Sequence, residues 1–217
     1  MRIRRKKGLD ERVNNAENIV LIDWTKVNVI EANKDKKYLD LVKLFGNNNP
    51  VDLEIGCGKG KFIVEMAKKY PDRNFLAVDC IANIIIVAAD LAKANSLKNV
   101  KFLNTGAEYL PRYLMGESVA NIYLNFSPPY PQSSYKNRRL TNARYLRVYE
   151  ALLKPCGRIY QKTDDKGFFD YSVAQMANFG FNVIDVSKIV NSEEIATEFE
   201  LKYMAQGVPI YRLVANK

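Results

Sequence analysis

The 217-residue chain has no histidine and only three cysteines. Without histidine, every Ser-His-Asp or Cys-His nucleophile arrangement, every imidazole general base and every His-ligated metal site is excluded. Cys57, Cys80 and Cys156 form no CxxC pair and lack zinc-like spacing, so neither a metal module nor a disulfide framework is expected. They read as small buried residues. Long apolar runs are missing too: the longest, Ile84 to Ala89, is far short of the ~20 residues a bilayer span requires. No charged-then-apolar leader opens the chain, so a cytoplasmic protein with no membrane partner is expected.

The content that is present, 47% hydrophobic and 26% charged, is that of an ordinary globular domain with a modest appendage. Thirty-three Lys and Arg against 24 Asp and Glu leave a net charge of +9. That excess favours a polyanionic partner, because neutralising phosphates releases counterions. Five of the first seven residues, Arg2, Arg4, Arg5, Lys6 and Lys7, make a basic arm, which is either a solvated tail or a phosphate-contacting extension. The polar stretch Gly46-Asn-Asn-Asn-Pro50 closes a helical segment around Tyr38 to Phe45 and separates an extension, residues 1–45, from the main domain, residues 46–217.

From Val51 strand-like and helix-like signals alternate. Strands are expected over Val51 to Ile55, Phe75 to Val78, Val100 to Leu103, Ala120 to Phe126, Arg158 to Lys162, Phe181 to Val186 and Tyr211 to Ala215. Helices are expected over Gly60 to Lys69, Ala82 to Asn95, Asn142 to Leu153 and Phe168 to Phe179, the second burying Ile84, Ile85, Ala88, Leu91 and Ala92. This alternation dictates a doubly wound α/β fold with a mostly parallel seven-stranded sheet. No convincing helix lies between the last two strands, so they are expected to pair antiparallel at a sheet edge.

Glu54-Ile-Gly56-Cys-Gly58-Lys-Gly60 falls between the first strand and its helix, the corner where glycines let a nucleotide-derived cofactor approach the backbone. The spacing is neither GxGxxG nor a Walker loop. Asp79, at the end of the second strand, is placed to accept both hydrogen bonds of a ribose diol, which NAD and S-adenosylmethionine both offer. Glu54 favours the methyl donor, since a carboxylate there repels a pyrophosphate and attracts an ammonium or sulfonium. Ser127-Pro128-Pro129-Tyr130-Pro131 then forces the chain out of the sheet at the same edge. It is followed by Tyr135, Lys136, Arg138, Arg139, Arg144 and Arg147, either a solvated charged face or a nucleic-acid contact.

On these residues the chain resembles the bacterial tRNA (guanine-N7-)-methyltransferases, which methylate a guanine of the tRNA variable loop. The resemblance runs through Met1-Arg-Ile-Arg4-Arg5-Lys6, Phe45-Gly-Asn, Glu54 to Gly60, Tyr123 to Ser127, Arg138-Arg-Leu-Thr141, Lys162-Thr-Asp164, Thr197-Glu-Phe-Glu200 and Gly207 to Arg212. It implies a Rossmann-like methyltransferase domain over residues 46–217 with its last strand antiparallel, S-adenosylmethionine as cofactor and tRNA as partner. Carried over by position, Glu54, Gly56, Gly58, Asp79, Gly106 and Pro128 are implied to bind the donor. Gln132, Asp164, Thr197, Glu198, Phe199 and Glu200 are implied to bind the substrate, and Ser134, Tyr135, Lys136, Asn137, Arg138 and Arg139 to contact RNA. The family usually reads Ser-Asp-Pro-Trp-Pro-Lys where this chain reads Ser127-Pro-Pro-Tyr-Pro-Gln132, so Pro128 replaces the acid assigned to catalysis and no catalytic side chain is named. Gly106 stands where an acid commonly contacts the donor's adenine, and Gln132 and Ser133 replace basic residues. Ser-Pro-Pro-Tyr also resembles the motif of enzymes that methylate exocyclic amino groups of adenine or cytosine, where the aromatic ring stacks on the base. A tRNA-binding protein without turnover is the third reading.

Overall fold

The structure, a computed structural model, describes residues 7–22, 28–189 and 195–217. Met1 to Lys6 of the basic arm lie outside the described residues. The chain divides into two compact units, Met1–Leu114 and Met115–Lys217, taken here in turn.

In the first unit, α1 (Leu9–Asn14), β1 (Ile19–Val20), α2 (Val29–Lys34) and α3 (Leu41–Phe45) precede β2 (Val51–Ile55). Then come α4 (Lys61–Lys69), β3 (Asn74–Asp79), α5 (Ala82–Ala94), β4 (Val100–Asn104), a 3-10 turn at Ala107–Tyr109 and α6 (Leu110–Tyr113). Its strands run in the order β1-β4-β3-β2, all parallel. Every residue of β2 is buried, as a central parallel strand demands. The two residues of β1 pair with Phe102 and Leu103, so part of the expected extension joins the sheet. The buried face of α5 is Asn83, Ile85, Ile86, Ala88, Ala89 and Ala92; Leu91, expected inside, is exposed, because the helix turns Ile86 and Ala89 toward the sheet instead.

The second unit holds β5 (Val119–Asn125), a 3-10 segment at Ser133–Arg138, α7 (Ala143–Leu152), β6 (Leu153–Thr163), α8 (Lys166–Phe179), β7 (Asn182–Ile189), α9 (Glu198–Ala205) and β8 (Ile210–Asn216). The strand order is β5-β6-β8-β7, with β8 antiparallel to both β6 and β7. The described residues therefore contain a mostly parallel α/β fold with its last strand antiparallel, in eight strands rather than seven, the addition being β1. The final pair is antiparallel as expected, but β8 is inserted between its neighbours and only β7 is outermost. A helix does precede β8: α9, which opens on a reciprocal cap between Thr197 and Glu200. β6 also starts earlier than expected, running through Pro155 and Gly157 past a register shift against β5.

Of the cysteines only Cys57 is buried. Cys80 follows the end of β3, and Cys156, at φ 62, stands in the irregular start of β6, so both are exposed. Among the described residues no cluster of acidic or sulfur ligands is arranged to hold a metal ion, and no helix is long and apolar enough to cross a membrane.

Candidate active site

In the first unit the glycine turn is pinned to the neighbouring strand: the N–H groups of Gly56 and Cys57 both donate to the Val78 carbonyl, at 2.8 and 3.1 Å. Gly56, Gly58 and Gly60 all have positive φ, at 82°, 55° and 83°. Their reasons for being glycine differ. A Cβ on Gly60 would lie 2.6 Å from the Ala88 Cβ, so this glycine lets α4 and α5 approach. A Cβ on Gly56 or Gly58 would meet nothing within 4 Å. The turn is thus open on the side where a ligand can reach bare backbone.

Asp79 closes the same corner. Its Oδ2 accepts from the Gly58 N–H at 3.1 Å and its Oδ1 from the Ile81 N–H at 2.9 Å, leaving lone pairs on both oxygens for further donors. The Asn104 side chain donates to the Asp79 carbonyl at 2.7 Å and ties the ends of β3 and β4 together. Burial raises the Asp79 pKa, and hydrogen bonds from the Ile81, Gly58 and Cys80 backbone only partly offset this. The buried Cys57 thiol is pushed well above its ordinary pKa, first by burial and then by the charges of Glu54 and Asp79. Such a corner rejects a pyrophosphate and suits a cationic nucleoside. At the end of β4, Gly106 is not in a left-handed conformation; a Cβ there would lie 2.6 Å from the Glu108 Oε2, because Glu108 folds back over it.

In the second unit, β5 ends at Asn125 and the Phe126 N–H donates to the Lys162 carbonyl at 2.8 Å. Phe126 and Tyr130, at φ 49° and 43°, bracket Ser127-Pro-Pro129 with two strained aromatic residues, a cost of ~1–3 kcal/mol each that is held by surrounding contacts. Pro128 is exposed and the Ser127 hydroxyl is buried without a hydrogen-bond partner. Arg139 fixes the far end of this loop. Its Nε and Nη2 donate to the Tyr130 carbonyl at 3.3 and 3.0 Å, and its guanidinium lies 4.4 Å from the Tyr171 ring centroid.

The other positions implied to contact RNA, Ser134, Tyr135, Lys136, Asn137 and Arg138, are exposed on the 3-10 segment, where Arg138 stacks on Tyr135 at 4.7 Å. Gln132 is exposed just before it. The remaining substrate positions gather around β6. Lys162 Nζ donates to both Glu200 oxygens at 3.1 and 3.3 Å in a buried ion pair, and Glu200 also accepts from the Thr197 N–H. Phe199 is 52% exposed, with its ring 5.9 Å from that of Phe126, which in turn lies 5.9 Å from Tyr203. Burial, then the charge and hydrogen bond of Asp164, raise the Tyr203 pKa and place Asp164 in this cluster. Glu198 points to solvent.

The sequence model of the family described as "Putative methyltransferase" matches residues 48–213. The tRNA (guanine-N(7)-)-methyltransferase of Oceanobacillus iheyensis is 37% identical over 219 residues, covering 99% of this chain and 98% of that protein. This chain belongs to the tRNA (guanine-N7-)-methyltransferase family. A second member, from Streptococcus thermophilus, is 35% identical over 100% of this chain and 99% of its own. A solved S-adenosylmethionine-dependent methyltransferase from Aquifex aeolicus shares the fold at a TM-score of 0.58 and 15% identity, over 88% of this chain and 98% of that one. Within this tRNA (guanine-N7-)-methyltransferase family member, the geometry gathers Glu54, Gly56, Gly58, Asp79 and Gly106 in the first unit. Asp164, Thr197, Phe199 and Glu200 gather in the second. The sequence assigned no individual role to Glu108, Lys162, Phe126 or Tyr203.

Proposed function

We propose that this chain transfers the methyl group of S-adenosylmethionine to N7 of a guanine in the variable loop of tRNA, acting in the cytoplasm. One observation carries the reading: a glycine turn open to a ligand and edged by Glu54 and Asp79, in a chain 37% identical along its length to a tRNA (guanine-N(7)-)-methyltransferase. When bound, S-adenosylmethionine supplies an electrophilic methyl group on a sulfonium. Gly56 and Gly58 admit the donor to the backbone, Asp79 accepts from its ribose diol, and Glu54 contributes negative charge for its cationic end.

Guanine N7 carries an in-plane lone pair and no proton, so the acceptor requires alignment and a suitable field, not a general base. The absence of histidine and the presence of Pro128 in the loop after β5 are therefore compatible with this reaction. In the second unit the half-exposed Phe199 ring offers a stacking face for a base, Asp164 supplies a polar contact, and Lys136 and Arg138 supply phosphate contacts, while Thr197 and Glu200, buried in the helix cap and the Lys162 ion pair, position Phe199. Residues 46–217 carry this chemistry and residues 1–45 extend it.

The test is mass spectrometry of nucleosides from unmodified tRNA incubated with the protein and labelled donor, where labelled 7-methylguanosine is the expected product. Labelled N6-methyladenosine or N4-methylcytidine would instead assign the Ser127–Tyr130 loop to an exocyclic amino group, a reading favoured by the unpartnered Ser127 hydroxyl. Donor binding with no methylated nucleoside would leave a tRNA-binding protein.

A further inference from the structure

The loop after β5 has few groups with which to hold a substrate. Pro128 and Pro129 carry neither a backbone N–H nor a polar side chain, and no carboxylate stands between Phe126 and Tyr130. The first side-chain donor beyond the strand is the Ser127 hydroxyl. Both ends of the loop are held. The Phe126 N–H donates to the Lys162 carbonyl at 2.8 Å, and the Tyr130 carbonyl accepts from Arg139 Nη2 at 3.0 Å.

Between these anchors Ser127 is only 7% exposed, whereas Pro128 beside it is open to solvent. Among the described residues the Ser127 hydroxyl has no hydrogen-bond partner. A hydroxyl buried in this way gives up water and gains nothing in return, so the free protein carries a cost that alanine at the same position would not impose. The place of the cost points to a ligand as the missing partner. Phe126, the preceding residue, has its ring 5.9 Å from that of Phe199, the exposed face on which a base can stack.

Guanine presents two acceptors side by side on its major-groove edge, N7 and O6. A donor to N7 would occupy the lone pair that takes the methyl group. A donor to O6 holds the same edge of the base and leaves that lone pair free. We propose that the Ser127 hydroxyl donates to O6 of the target guanine and so fixes N7 in position for methyl transfer. This rests on the guanine-N7 reading above. It gives the loop a substrate contact in a chain whose neighbouring position, Pro128, has no polar side chain to offer.

The experiment pairs Ser127→Ala with a tRNA whose target guanine is replaced by 2-aminopurine, a base that keeps N7 and lacks O6. Removal of an unpartnered hydroxyl should leave the thermal midpoint of the ligand-free protein at or above that of the wild type, and S-adenosylhomocysteine affinity by calorimetry within about twofold. Single-turnover methylation of the guanine tRNA should slow about tenfold. On the 2-aminopurine tRNA the wild type and Ser127→Ala should share one reduced rate, because a hydroxyl and a carbonyl that act on each other can be lost only once. Equal slowing of both tRNAs by Ser127→Ala overturns the proposal, as does an unchanged rate on the guanine tRNA. A lowered midpoint also overturns it, since the hydroxyl would then have its partner inside the folded protein. In each of these cases the wild type still forms 7-methylguanosine and the reading beneath stands. A wild type that forms none overturns both.

Discussion

At the scale of single residues the donor corner turns on Asp79, whose carboxylate must be ionised to accept both hydroxyls of a diol. Burial favours its protonated form, so donor affinity should fall on acidification at a pH above that expected of an ordinary aspartate. Asp79→Asn should abolish that pH dependence and weaken donor binding by about 1.5–3 kcal/mol, both read by calorimetry across pH. Stability has the opposite sign. A folded pKa raised above the unfolded one means that ionised Asp79 costs folding free energy, a cost absent at low pH that grows as pH climbs from the unfolded to the folded pKa. The ligand-free wild type should therefore lose stability as pH rises through the folded Asp79 pKa, a loss that urea unfolding across pH reads directly. Asp79 was legible in the sequence because a strand end fixes its place, while Glu108 was not, since only the turn after β4 folds it back over Gly106.

Among the elements, α9 shows how local chemistry and burial combine. Its start is written in the sequence as Thr197-x-x-Glu200, the spacing of a reciprocal cap, but its eight residues carry too weak an apolar stripe to predict a helix. β2, β3, α5 and α8 were legible because each is a largely apolar stretch of strand or helix length bounded by turn residues. β1, with two residues, carries no period at all and exists through its pairing with β4. The cap and the core of α9 are separable by mutation. Thr197→Ala removes the hydroxyl that accepts from the Glu200 N–H at 2.9 Å and should cost about 1 kcal/mol in urea unfolding. Glu200→Gln strips Lys162 of its buried counter-charge and should cost more, about 3–5 kcal/mol. Equal costs would show that the buried pair contributes nothing beyond the cap.

For the molecule as a whole the governing quantity is the net charge of +9, and what matters for RNA is where it is placed. Lys136 and Arg138 are exposed on the segment after the Ser127–Tyr130 loop, while Lys93 and Lys98 border a cavity of about 540 Å³ at the end of α5, where β4 begins rather than ends. Reversing either pair to glutamate changes the total charge equally. If tRNA affinity followed total charge, the two double variants would weaken it alike. If phosphates are held at the segment, Lys136→Glu with Arg138→Glu should flatten the dependence of log K on log salt by about 1.5–2, close to two lost phosphate contacts, and the cavity pair should alter it much less. Arg139, one residue further on, separates charge from geometry. Its guanidinium is engaged by the Tyr130 carbonyl and the Tyr171 ring, so Arg139→Ala should release the loop and lower kcat while the salt slope stays that of the wild type. An Arg139→Ala variant with normal turnover and a flattened slope would place Arg139 among the phosphate contacts, and the loop would then owe its shape to Phe126, Tyr130 and the two prolines alone.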